Sequence, residues 1–335
     1  MHQALFLENS VNMINEANHW SKMQERGTYL GMQILLFVYR LCGRSVLSFF
    51  LYPVVVYLYF SGGASKQASK EYWQRVFATN KSSKKFSHSI GIAHFYSFAQ
   101  SAFDKIDAWM GRITPEHIVY SQEHPIAELQ EKQQGAVFIG SHLGNLEVCR
   151  ALGHGRYETR INVLVFTHHA VEFNKVMQKI NADSNVDLIQ ATHVGADLAI
   201  LLKERIDNGE ILVIAGDRTS VTSQGRVIYS PFLGKPAAFS QGAFILASIL
   251  DCPVYFLFCL KEKAHYRVVF EHVADTLKFS RKNRQESLTA VVNQYAQRLE
   301  HYCLAYPFQW FNFFDFWQND QDVIRDEQKP NSTNE

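Results

Sequence analysis

The chain has 335 residues, 47% of them hydrophobic, and a formal net charge of +1. That apolar content supports a folded core of one large or two small domains and excludes a disordered chain, while the near-zero charge offers no broad electropositive face and excludes nucleic acid as a partner. Five scattered cysteines, Cys42, Cys149, Cys252, Cys259 and Cys303, show no C-x-x-C spacing, which argues against a disulfide framework and a zinc site and for a reducing compartment.

The first organised stretch runs from Thr28 to Phe60 and is dominated by Leu, Val, Phe and Tyr. Arg40, Arg44 and Pro53 interrupt it, and Lys22, Arg26, Lys66 and Lys70 flank it. It begins too late for a secretory signal and no small-residue cleavage site follows. Neither apolar half reaches the ~20 uninterrupted residues of a comfortable membrane crossing. The reading is an interfacial or partly inserted helical hairpin, so that residues 1–66 form a membrane-associated helical segment. The alternatives are a single crossing with snorkelling arginines and a buried soluble helix pair. An aromatic share of 13%, with 25 Phe and 15 Tyr, suits either a membrane interface or a Phe-rich core.

Lys66 to Phe103 reads as mixed helix, with apolar residues three and four apart in His94-Phe95-Tyr96-Ser97-Phe98-Ala99. From Gly135 the pattern changes. Short apolar runs at Ala136–Ile139, Ile161–Phe166, Val186–Ile189, Ile211–Ala215 and Val254–Leu260 alternate with helix-like stretches at Glu147–Leu152, Val171–Ile180, Ala196–Ile206 and Gln241–Leu250. The expected fold class is α/β: a mostly parallel central sheet flanked by helices over residues 67–320, with the N-terminal helical segment before it. A polar, flexible tail over 321–335 follows.

Directly after the run at 136–139, the segment His142-Leu143-Gly144-Asn145-Leu146-Glu147 places a histidine and a carboxylate five positions apart. In an open α/β fold His142 stands just past the carboxyl end of a strand, where ligands bind. A carboxylate that accepts one ring N–H fixes the tautomer and leaves the other nitrogen to take a proton from a hydroxyl near neutral pH. By chance, the same spacing arises from a helix-capping or core histidine. A second strand, Ile211–Ala215, ends in Gly216-Asp217-Arg218 and brings another carboxylate and a guanidinium to that edge; the plain alternative is a local ion pair. Pro231-Phe232-Leu233-Gly234-Lys235-Pro236 reads as a rigid loop with an apolar tip and a cation. There is no G-x-G-x-x-G, P-loop, G-x-S-x-G or H-E-x-x-H pattern, and His168-His169, being adjacent, point different ways, so neither a nucleotide nor a metal is expected.

These elements together resemble the lysophospholipid acyltransferase superfamily and, within it, the late acyltransferases of lipid A biosynthesis. The likeness rests on His142 and Glu147 as an H-x4-[DE] motif after a strand, the apolar segment at 29–60, Gly216-Asp217-Arg218, and Pro231-Phe232-Leu233-Gly234. It runs from about Thr28 to Trp317. The wording around Glu25-Arg26-Gly27 and over Ser141–Glu147 is similar to homologues in aryl-polyene lipid gene clusters, which leaves the acceptor open. The resemblance implies transfer of a fatty acyl group from acyl carrier protein to a lipid or glycolipid hydroxyl at the cytoplasmic face of the inner membrane, with no cofactor beyond the carrier thioester.

On that basis His142 is the expected general base and Glu147 the residue that orients it. Backbone N–H groups at Gly144 and Asn145, with Arg218 or Lys235, are the expected oxyanion donors; Asn145 serves equally as a helix cap. Asp217 joins the substrate-binding set, and Phe232 is expected to line an acyl tunnel. Arg150, Arg156 and Arg160 near Lys235 form a docking patch for the acidic carrier, or an ordinary solvated face. Two other readings stay open: a lipid or thioester hydrolase using the same pair on water, and a non-catalytic membrane-bound lipid-binding protein.

Overall fold

The computed structural model describes residues 29–120, 125–148, 159–165, 186–190, 195–218 and 226–317. Three helices lead: α1 (Tyr29–Ser61), α2 (Gly63–Thr79) and α3 (His88–Trp109). The α/β region then runs β1 (Ile118–Tyr120), α4 (Ile126–Glu131), β2 (Ala136–Gly140), β3 (Ile161–Val165), β4 (Val186–Gln190), α5 (Ala196–Asp207) and β5 (Ile211–Ala215). It continues through β6 (Val227–Phe232), β7 (Lys235–Ser240), α6 (Gly242–Leu250), β8 (Val254–Glu262), β9 (His265–Ala274) and α7 (Arg284–Ala305).

Seven of these strands form one sheet in the order β1-β9-β8-β2-β5-β3-β4. Every neighbouring pair is parallel except the β8–β9 hairpin, so the expected mostly parallel α/β sheet is present. Parallel strands covered on both faces must be apolar on both, and every residue of β2 is buried. The faces separate by parity. Val137 and Ile139 join the core under α7 with Leu288, Val292 and Leu299, whereas Ala136 and Phe138 join a second core with Ile126 and Leu129 of α4.

The amino-terminal segment departs from the expected hairpin. α1 kinks at Gly43, whose φ of 73° is outside the helical range, and then continues as one helix through Pro53. Leu41–Ser61 is 21 residues long with mean hydropathy 1.6 and is 6% buried, long and apolar enough to cross a membrane by length and composition. Arg44 does not snorkel outward: it donates to Asp107 at 3.0 Å and pairs with Asp104 at 2.6 Å, both on α3. Those buried carboxylates, far away in sequence, claim the guanidinium that the single-crossing alternative had snorkelling to the membrane surface.

The segment at 231–236 is likewise not a loop but the end of a two-stranded ribbon, β6 against β7, with Pro231 opposite Pro236 and a turn at Leu233-Gly234. Two prolines, which lack an N–H, fit because among the described residues the ribbon has no further strand that would need a donor at either position. β1, α4, β6, β7, β9 and α7 were not anticipated. The expected helix over 171–180, the later part of that over 147–152, the His168-His169 pair, and the tail at 321–335 lie outside the described residues.

Candidate active site

The register of two parallel strands builds the site. Gly140 of β2 pairs with Ala215 of β5, so His142 and Asp217, each two residues beyond, emerge side by side at the carboxyl edge of the sheet. The strand ends are pinned there: the Gly140 carbonyl accepts the Gly216 N–H at 2.9 Å and the Tyr295 hydroxyl at 2.7 Å. Past this point the chain leaves the sheet through a tight turn at Gly144, with φ of 75°. A Cβ there would lie 1.9 Å from the Cys259 carbonyl oxygen on β8.

Asp217, 2% exposed, gathers three donors on its carboxylate. One oxygen accepts the His142 ring Nδ1–H at 2.8 Å. The other accepts the His142 backbone N–H at 2.8 Å and the Trp310 indole N–H at 3.1 Å. Donation from Nδ1 leaves the lone pair on Nε2, the form of imidazole that can take a proton. Burial and the nearby Arg218 guanidinium lower the His142 pKa below 6.5, outweighing the attraction of Asp217. Burial alone would raise Asp217, but His142 and Arg218 together hold it below the ordinary carboxylate range. At neutral pH the pair is therefore a neutral imidazole on an ionised carboxylate.

A strap from the carboxyl-terminal region holds the loop. Phe311 N–H donates to the His142 carbonyl at 3.0 Å, and Gly144 N–H donates to the Gln309 carbonyl at 2.8 Å. Trp310, fully buried, sits between them over Phe232, whose ring centroid is 5.2 Å away. The Trp310 carbonyl accepts from His94 Nε2 at 3.0 Å, and His94 Nδ1 accepts the Ser69 hydroxyl at 3.0 Å. The two partners fix the neutral tautomer, since a carbonyl only accepts and Nδ1 must then receive. Burial drives the His94 pKa down to about 4.

Linkage follows from that depression. Above 6.5 the native state bears no proton cost at His94; as pH falls from 6.5 toward about 4 the unfolded chain takes up a proton that the native imidazole refuses. Stability is expected to drop by on the order of 3 kcal/mol across that window. Denaturant titrations of wild type and His94→Gln at several pH values check this: the variant's curve should be flatter between pH 6.5 and 4. Trp310→Phe is expected to keep the packing but remove one donor from a buried carboxylate, slowing turnover roughly 10-fold or more. Rate and circular dichroism on the same sample separate this from unfolding.

The structure thus places the residues named from sequence in different situations. His142 and Asp217 meet, with Arg218 beside them. The ring nitrogen assigned to Glu147 is held by Asp217, because the parallel register delivers that residue to the imidazole; Glu147 lies on a single tight turn at 146–148. Gly144 and Asn145 do not supply oxyanion donors. Their N–H groups are engaged by Gln309 and Cys259 carbonyls, the latter at 2.9 Å. Asn145 accepts the Glu147 N–H at 3.2 Å and donates to the Ser101 carbonyl at 3.1 Å, which makes it a cap. Phe232 is fully buried among Trp310, Phe239, Phe316 and Trp317, so among the described residues it packs against Trp310 as part of the core. Lys235 stands opposite Phe232 in the ribbon register and is exposed. Arg160 is exposed and pairs with Asp187 at 3.7 Å, while Arg150 and Arg156 lie outside the described residues.

Trp310, His94, Ser69 and Tyr295 were not found from the sequence. For Trp310 the signal there is the aromatic density of the 308–317 segment, which does not single out an indole that donates to a carboxylate.

A family model, bacterial lipid A biosynthesis acyltransferase, matches residues 13–319. The chain belongs to this family. The match spans every element that builds the His142–Asp217 site, from the helices that hold Ser69 and His94 to the strap at 309–311. Comparison of the acyltransferase with curated proteins gave no match.

Proposed function

We propose that this acyltransferase moves a fatty acyl group from acyl carrier protein to a hydroxyl of a membrane lipid or glycolipid, with His142 as general base. The observation that supports it is the His142–Asp217 pair at the carboxyl edge of the sheet, where Nδ1 is committed to the carboxylate and Nε2 keeps its lone pair. The acceptor oxygen attacks the thioester carbonyl as its proton passes to Nε2. The C–O ester bond forms, the C–S bond breaks, and the imidazolium returns the proton to the departing thiolate. Asp217 stabilises the transient imidazolium.

The tetrahedral oxyanion needs a donor that the Gly144 and Asn145 N–H groups do not provide. Arg218, next to Asp217 and close enough to depress His142, is the cation proposed for it. Glu147, on the turn after the loop, and Lys235, on the exposed ribbon, remain candidates for contact with substrate or carrier. The apolar helix Leu41–Ser61 supports attachment to a membrane; the inner membrane, with the sheet on the cytoplasmic side, is proposed from the family resemblance alone.

The test is a detergent-solubilised reaction of labelled acyl–acyl carrier protein with host membrane lipids, comparing wild type and His142→Ala by mass spectrometry. Label in one lipid with wild type alone supports transfer; label appearing only as free acid would establish a hydrolase. The acid limb of the rate profile is expected below pH 6.5, because the base must be neutral and its pKa is lowered. Arg218→Gln should move that limb toward higher pH. An acid limb above 6.5 in wild type would contradict the neutral-base assignment.

A further inference from the structure

The segment after α7 meets the catalytic groups on one side and the helical layer on the other. From Trp310 to Phe314 successive side chains alternate. The rings of Phe311 and Phe313 face α3: both lie 5.4 Å from Phe98, and they lie 6.5 and 4.8 Å from His94. The positions on either side of Asn312 in that alternation reach the site instead. Trp310 donates to Asp217, and the centroid of the Phe314 ring lies 5.8 Å from Cζ of Arg218. An extended chain has this two-residue period, so the geometry that brings Trp310 to the carboxylate also brings Phe314 to the guanidinium.

The ring is itself held in place. Phe314 packs on Phe316 with centroids 6.0 Å apart, and Phe316 is buried against Phe232, Phe239 and Trp310. The far end of the segment is clamped by Arg75 of α2, whose Cζ lies 4.2 Å from the Trp317 ring centroid while its guanidinium pairs with Glu71. Half-buried Phe314 therefore presents a fixed aromatic face to the half-buried Arg218. A cation that stabilises a developing oxyanion must be in position before the charge appears. An arginine is long and rotatable, and a ring face within about 6 Å attracts its guanidinium and restricts where it can go.

We infer that Phe314 is a positioning residue for Arg218: its ring holds the guanidinium where the thioester carbonyl becomes an oxyanion. The inference rests on the acyl-transfer reading above, in which Arg218 is the cation, and adds a residue that acts through it. The charged groups that act on His142 come from two elements. Asp217 and Arg218 follow β5, and Lys105 stands on α3; Arg218 and Lys105 lower the imidazole pKa while Asp217 raises it. Asp315, next to Phe314, is exposed and accepts the Trp317 N–H at 3.2 Å. Removing the ring leaves Asp217 and Lys105 in place and lets Arg218 swing away, so the imidazole loses part of what keeps it neutral and the oxyanion loses its cation together.

The test is the transfer assay with labelled acyl–acyl carrier protein and membrane lipids, run across pH on the full chain in detergent with circular dichroism on each sample. Phe314→Leu is expected to lower kcat roughly 3- to 30-fold with little change in KM for the lipid. It should also move the acid limb toward higher pH, the direction expected of Arg218→Gln. Phe314→Met, which is equally apolar and lacks a ring, should do the same, and Phe314→Tyr, which keeps the aromatic face, should restore both readouts. In an Arg218→Gln background Phe314→Leu should add little, because the ring then has no guanidinium to hold. A slower rate with an unmoved acid limb would overturn the inference and leave Phe314 as packing. So would a loss as large in the Arg218→Gln background as in the wild-type chain, or a Phe314→Leu variant that matches wild type in rate and profile. Arg218→Gln with the wild-type rate and acid limb would remove Arg218 from the mechanism, and absence of any transfer by wild type would sink the acyl-transfer reading; this inference falls with either.

Discussion

Asp217→Asn is expected to lower the acyl-transfer rate by about 10²–10⁴-fold with the fold retained. Two donors, the His142 backbone N–H and the Trp310 indole, converge on one carboxylate oxygen. An asparagine keeps both only by turning its amide oxygen to them, which turns its NH₂ toward His142 Nδ1. Two donors cannot share that contact, so the imidazole must move its proton to Nε2 and present Nδ1 as the acceptor. The nitrogen that should take the substrate proton is then already protonated. His142→Ala should cost a similar factor, and the double variant little more than His142→Ala alone, because the two residues act as one unit. Single-turnover rates with thermal melts on each variant check this. Glu147→Gln sharpens the result: a loss of about 10²–10⁴-fold there, with Asp217→Asn near wild type, would give the orienting role to Glu147 instead.

Gly144→Ala should be the most damaging small substitution near the site. The left-handed conformation alone costs a β-carbon about 1–2 kcal/mol. Here the carbon would also lie 1.9 Å from a backbone carbonyl oxygen on β8, and a strand in the middle of a sheet cannot give way as a flexible side chain does. A total loss of about 2–5 kcal/mol is expected, with displacement of the loop that positions His142. Chemical denaturation and the transfer rate read the two consequences separately. A variant as stable and active as wild type would mean that the turn at Gly144 is not fixed by its contact with Cys259.

How much of this was legible beforehand depends on whether the signal was local. The five apolar runs at 136–139, 161–166, 186–189, 211–215 and 254–260 each fall on a strand within the described residues, because strands packed into the interior of an α/β sheet carry short, dominantly apolar runs. β9 escaped notice because His265–Ala274 mixes polar and apolar residues at the sheet's antiparallel margin. The ribbon at 227–240 hid behind two prolines that ordinarily end strands, which only its two-stranded isolation permits. Arg44 was read as a cation among apolar residues, and nothing near it in the chain announces Asp104 or Asp107.

The sequence by itself determined the fold class, the apolar helical character of the amino-terminal segment, and the fact that His142 and Asp217 each follow the carboxyl end of a strand, since these follow from composition and periodicity over short windows. Which carboxylate meets the imidazole was decided by tertiary structure. Glu147 is five residues from His142 and Asp217 is 75, yet the pairing of Gly140 with Ala215 sets the second beside the ring. The engagement of the Gly144 and Asn145 N–H groups, and the strap that brings Trp310 onto Asp217, were decided in the same way. Hydrogen bonds depend on distance in space, and the packing of strands and helices sets that distance between residues remote in the chain.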